Sequence, residues 1–138
     1  MPTLSVEDVI NLHTLIMRDE GSPDLMLSLA GLESALQRPL TAAHYERADL
    51  AQQTAVLISG IALAHVFIDG NKRTAAASAL LFLAFAGYRL TDRSAAFGDE
   101  ILALVNRNQD RPASARIPLA EAEARLAAWI RGRLQPRT

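Results

Sequence analysis

Residues 65–75 read HVFIDGNKRTA. A His, an Asp, an Asn and two adjacent cations surround a single Gly, with apolar segments on both sides. The flanking patterns predict one helix over Leu50 to Val66, with Ala51, Ala55, Ile58, Ala62 and Leu63 along one side. A second helix is predicted from Asn71 to Phe85, apolar almost all round in the manner of a buried central helix. Ile68-Asp-Gly70 is then the turn between them. A helix beginning at Asn71 puts Lys72 and Arg73 in its first turn, where the helix dipole is positive. Each cation is unfavourable there by about 0.3–1 kcal/mol. An anion removes the conflict: a phosphate at this point takes backbone N–H groups, the dipole and both cations together. Gly70 allows positive φ and close approach of the backbone, and Asn71 is able to cap the helix or bind a phosphate oxygen.

The remaining residues supply partners for that anion. Of the fourteen basic residues thirteen are Arg, and the only Lys is Lys72; a compact ammonium and a planar guanidinium are not equivalent at a phosphate. His65, at the end of the preceding helix, is suited to accept a proton from an attacking hydroxyl. Asp69 offers hard oxygen ligands of the kind Mg²⁺ takes beside phosphates, and Phe67 and Ile68 are expected to pin the loop by burying in the core. Taken alone, Asp-Gly-Asn is an ordinary helix–helix turn; with the cations beside it, an anion site is the better reading.

Outward from the motif the chain reads as all-α. Ser5 caps a first helix carrying Val9, Ile10, Leu12, Leu15 and Ile16, and residues 19–24 break it. Leu27 to Gln37 is a short helical pattern that Pro39 is expected to end. Gly87 closes the central helix as a C′ residue, and Tyr88 to Thr91 is the one candidate for extended structure. Two more helices are predicted, Phe97 to Asn108 and Pro118 to about Leu134. No repeat or linker interrupts residues 1–138, so a single helical domain of about six helices is expected.

Composition narrows the class. Half of the 138 residues are apolar and 21% are charged, the balance of a folded globular chain rather than a disordered one. With no Cys, disulfide and thiolate chemistry are excluded. The N-terminus lacks signal-peptide character and the longest apolar run, Thr74 to Gly87, is too short to span a bilayer, so a cytoplasmic protein is expected. The net charge of −1 argues against binding nucleic acid by bulk charge. Residues 107–138 carry seven Arg against three acids, spread as on a solvated helix face. Nucleotide-binding Gly-rich motifs and a complete EF-hand loop are absent, and His13, His44 and His65 have no metal-type spacing. His13, among apolar residues of the first helix, reads as a packed and satisfied side chain.

HVFIDGNKRTA resembles the H-x-F-x-D-x-N-K-R signature of the Doc (death-on-curing) toxins, a branch of the Fic fold. Leu12-His13, Gly31 to Leu36 with Arg38-Pro39, and Ala77 to Leu83 are similar to the landmarks around that signature, so the resemblance spans roughly residues 5–90. The wider Fic family, with H-x-F-x-[D/E]-G-N-G-R-x-x-R, mostly transfers AMP. Here Lys72 stands at the second Gly and Ala76 at the second Arg, and Doc-type members share both departures. The resemblance therefore implies a protein kinase that moves the γ-phosphate of ATP, with Mg²⁺, to a hydroxyl, usually a threonine of elongation factor Tu. His65 would be the general base and Asp69 the Mg²⁺ and phosphate organiser, with Gly70, Asn71, Lys72 and Arg73 as the anion cradle. Residues 21–31, GSPDLMLSLAG, would correspond to a flap that aligns the target peptide. A cognate antitoxin with a disordered segment that folds on the toxin is implied as partner. The rival readings are AMP transfer, a non-catalytic binding module of the same fold, and a helical DNA-binding protein suggested by the Arg-rich end.

Overall fold

The computed structural model describes residues 3–21, 25–92 and 95–137, without the side chains of residues 19 and 20. Helix α1 (Val6–Glu20) begins with a capping box: Ser5 accepts from the Asp8 N–H while Asp8 accepts from the Ser5 N–H. It ends on Gly21 at φ +66. Its buried face is Val9, His13 and Met17, four residues apart, whereas Leu15 is 55% exposed and takes no part in the core. The expected break thus starts only at Gly21, and its residues 22–24 lie outside the described residues.

Helix α2 (Leu29–Tyr45) is capped by Ser28 and runs through Pro39, which corrects the expectation of a helix ending before it. Proline in a helix interior costs about 3 kcal/mol, and the compensation is packing. Leu32, Ala35, Pro39 and Ala42 form one buried stripe, and α2 makes its most extensive contact with α3. Gly60 of α3 allows the close approach, because a Cβ there would lie 2.9 Å from the Ala35 Cβ.

Helix α3 (Leu50–Leu63) is capped by Asp49 and is buried at ten positions, the most enclosed element described. It stops three residues short of the expected Val66: Ala64 is the C-cap and His65 turns back at φ +49. Helix α4 (Asn71–Phe85) matches its predicted bounds and buries Thr74, Ala75, Ser78, Ala79, Phe82 and Leu83. Gly87, at φ +85, closes it and leads into strand β1 (Tyr88–Leu90), where extended chain is expected.

Helix α5 (Ala95–Val105) and helix α6 (Leu119–Arg131) come next, each shorter than its sequence pattern, with a 3-10 turn at Ala113–Ala115 between them. Pro118 stands at the N-cap of α6. Strand β2 (Leu134–Pro136), which the sequence pattern does not announce, pairs antiparallel with β1 in the register Tyr88–Pro136, Arg89–Gln135 and Leu90–Leu134. Over the described residues the architecture is an all-α fold of six helices with a two-stranded ribbon, α3 lying against α2, α4 and α6. No helix among the described residues is long and apolar enough to cross a membrane.

Candidate active site

The loop between α3 and α4 is held in place from several sides. Asn71 folds its carboxamide back on Phe67: Oδ1 accepts from the Phe67 N–H at 3.0 Å and Nδ2 donates to the Phe67 carbonyl at 2.8 Å. The Phe67 ring is buried and lies parallel to the His13 ring, with centroids 3.6 Å apart. His13 is fully enclosed, and its Nε2 lies 2.8 Å from the Asp69 carbonyl. A carbonyl only accepts, so Nε2 carries the hydrogen. Met26 bridges to Phe67 as an extended pair, the Leu27 N–H donating to the Val66 carbonyl and the Ile68 N–H to the Leu25 carbonyl. The segment from Leu25 to Ser28 is thereby stitched to the motif. Ile68 corrects the sequence expectation: its backbone is tied to Leu25 but its side chain is half exposed and borders the cleft.

The start of α4 has the unusual chemistry that the sequence implied. Helices α1, α2 and α3 each satisfy a first-turn N–H with a side-chain oxygen, from Ser5, Ser28 and Asp49. Helix α4 has no side-chain cap and no acid in its first turn; its N-cap is Gly70 at φ +79. A Cβ at Gly70 would come within 2.7 Å of the Met17 Sδ, so this residue combines a left-handed conformation with lack of space. Lys72 and Arg73 are exposed in that first turn.

His65, Asp69, Gly70, Asn71, Lys72 and Arg73 all border one open cleft of about 550 Å³, with Ala62, Leu63 and Val105 supplying apolar walls. The volume is in the range of small-molecule sites. Asp69 is exposed toward solvent; its Oδ1 accepts from the Gly70 N–H at 2.7 Å. His65 is exposed, and its positive φ is uncommon for a residue with a Cβ. The cleft therefore gathers a helix N-terminus, two cations, a carboxylate and an imidazole. That assembly is able to bind an anion and to relay a proton beside it.

Two features escape a reading of the motif alone. His13 is packed and satisfied, as expected, yet its partner is the motif's own main chain, 56 residues away. The signal was available in the spacing: Val9, His13 and Met17 share a helix face, so the His is the one polar residue of a buried stripe. Asn71 uses its carboxamide within the loop, so its remaining contribution to an anion is its backbone N–H.

A family model described as Fic/DOC family matches residues 3–83, which span α1 to most of α4 and the whole motif loop. The chain belongs to this family. It is 34% identical over 93 residues to the protein named Protein kinase doc of Escherichia phage P1, a match that covers 67% of this chain and 74% of that protein. Its motif, with Lys72 and Ala76, makes it a Doc-type member.

Proposed function

We propose that this protein is a toxin of a toxin–antitoxin pair that acts in the cytoplasm as a protein kinase. It transfers the γ-phosphate of ATP to a serine or threonine hydroxyl of a translation factor, with elongation factor Tu as the leading target. The observation that carries the reading is the uncapped first turn of α4, where Lys72 and Arg73 face the same cleft as His65 and Asp69. Similarity to a protein kinase of the same family supports it.

In this reading the phosphates of ATP lie against the first N–H groups of α4, with Lys72 and Arg73 balancing their charge. The hydroxyl oxygen of the target attacks the γ-phosphorus, the bond to the β–γ bridging oxygen breaks, and ADP leaves. His65 takes the proton of the attacking hydroxyl. Phosphoryl transfer asks mainly for positioning and charge stabilisation, which a small loop-and-helix site is able to supply.

The residues fit Mg²⁺ in the way nucleotide sites commonly do. No cluster of three or more metal-ligating side chains exists among the described residues. A Mg²⁺ ion would thus be held by the Asp69 carboxylate together with the nucleotide's own phosphates. When bound, the ion neutralises charge on the phosphate oxygens. A cognate antitoxin whose disordered segment folds on the toxin is the proposed partner.

Incubation of the protein with a cell extract and ATP labelled at either the α or the γ position tests the reaction. Label from the γ position alone on a protein band, with a phosphate mass increment in the spectrum, is the expected result. An AMP increment instead would assign the chain to the AMP-transferring chemistry of the wider family. The pair of residues at issue is Lys72 and Ala76. Lys72 adds charge at the start of α4, and half-buried Ala76 leaves a cationic side chain missing one turn later.

A further inference from the structure

We propose that His13 is a positioning residue of the transfer reaction: its Nε2–H fixes the main chain at Asp69 and so sets the Asp69 carboxylate and the first N–H groups of α4 within the cleft. The inference rests on the phosphoryl-transfer reading of the site.

Packing alone does not call for a histidine at this place. Val9 and Met17, one turn away on either side, are apolar and as deeply buried. An apolar side chain would fill the same space, but the Asp69 carbonyl would then be left without its enclosed donor. The imidazole supplies two things together. Its face lies parallel to Phe67, tilted by only 6°, and its Nε2–H reaches the Asp69 carbonyl at 2.8 Å. Phe67 is in turn locked to Asn71 through both of its main-chain polar groups. Residues 67, 69 and 71 are therefore each held, and the peptide between Asp69 and Gly70 has its carbonyl on His13 and its N–H on the Asp69 Oδ1.

Gly70 confines the same peptide from the other side. A Cβ there would lie 3.6 Å from both Cδ2 and Nε2 of His13, so the imidazole is also a wall against which the glycine rests. If the donor is lost, the 69–70 peptide is free to rotate, and two groups move with it: the carboxylate of Asp69 and the N-terminal amides of α4. Neither His13 nor Met17 is among the residues bordering the cleft, so His13 acts through the loop and does not touch substrate.

The test separates the donor from the ring. His13→Phe keeps a flat ring for Phe67 without a donor; His13→Gln has an amide N–H the same number of bonds from the backbone as Nε2, without the ring. With Mg-ATP and the protein substrate, kcat of the Phe variant is expected to fall roughly 10- to 100-fold, the scale of an ångström-sized misplacement. Its KM for ATP should change far less, and the Gln variant should recover most of the loss. In the free protein, the Gly70 amide resonance should move in the Phe variant and return toward the wild-type position in the Gln variant. A folded Phe variant with wild-type kcat and an unmoved Gly70 resonance overturns the proposal, as does a Gln variant as impaired as the Phe one. If His13→Phe does not fold, His13→Met takes its place as the variant without a donor. If the wild-type protein transfers no phosphate, it is the kinase reading that fails, and the Gly70 resonance alone then decides the role of His13.

Discussion

At the scale of single residues, His65 and Gly70 share a left-handed backbone but for opposite reasons. Gly70 has no room for a Cβ, whereas His65 retains a side chain in a conformation that costs a non-glycine residue about 1–2 kcal/mol. His65→Gly is therefore expected to leave the thermal midpoint unchanged or slightly raised while transfer falls by a factor on the order of 100 or more, the usual contribution of a general base. Calorimetry beside the labelling assay checks both halves; transfer that survives the substitution would remove His65 from the mechanism. Gly70→Ala should do the reverse to stability, lowering it by about 1–2 kcal/mol from the backbone alone and by more through the Met17 contact, measurable by urea denaturation. The residues of the motif were legible because a cation pair at a helix N-terminus breaks a local electrostatic rule. The uses of Asn71 and His13 were not, since a carboxamide folded on Phe67 and an imidazole on a distant carbonyl arise from tertiary geometry and not from neighbours in the chain.

Among the elements, α3 and α4 begin in contrasting ways. Asp49 closes the first turn of α3 by accepting from the Gln52 N–H, and it forms a two-point pair with Arg131, whose Nε lies 2.7 Å from Oδ2 and Nη2 3.1 Å from Oδ1. The Arg131 hydrogen bond holds the Asp49 carboxyl below its usual pKa, with burial opposing and the Gln52 N–H assisting. A depressed folded-state value means that this stabilisation is present above the unfolded pKa of about 4 and is lost as pH falls through the folded value. Asp49→Ala should thus cost about 0.5–2 kcal/mol at neutral pH, mostly as a lost helix cap. The difference from wild type should shrink in acid, and melts between neutral pH and pH 3 measure it. Helix α4, with no such cap, is expected to gain stability from an anion instead. Saturating Mg-ATP should raise the melting temperature of the wild-type protein, and Lys72→Ala should reduce that rise. Helix starts were legible where Ser5 announced α1 and where the apolar pattern opens at Leu50 and Asn71, and the C-terminal stop of α4 where Gly87 marked it. The end of α2 was not, because the penalty of Pro39 is local while the packing that offsets it comes from α3.

For the whole molecule, the family match stops at residue 83, and the remaining C-terminal part of the chain has to be fastened to the matched helices. Among the described residues, two charge pairs join α6 to the earlier part of the chain: Asp49–Arg131 at the surface, and Arg38–Glu123 with the carboxylate almost fully enclosed. The Arg38 Nη2 lies 2.8 Å from Glu123 Oε2 at an angle outside hydrogen-bond geometry, and Nη1 donates to the Val56 carbonyl and the Ser59 hydroxyl. Arg38→Met leaves the carboxylate buried without its cation and should cost about 3 kcal/mol, the low end for such a pair because Arg38 is partly exposed. Adding Glu123→Leu should recover most of that loss, and a double-mutant cycle by denaturant melts gives the coupling. An all-α fold was legible from helical periodicity, but strand β2 was not, since its three residues take an extended form only by pairing with β1. That ribbon has a practical use. It anchors the chain near residue 136 just past the far end of α4, about 22 Å of helix from the motif loop at 1.5 Å per residue. A dye or surface tether placed at residue 137 would therefore report on, or hold, the protein from the side opposite its cleft, leaving the mouth of the cleft unobstructed.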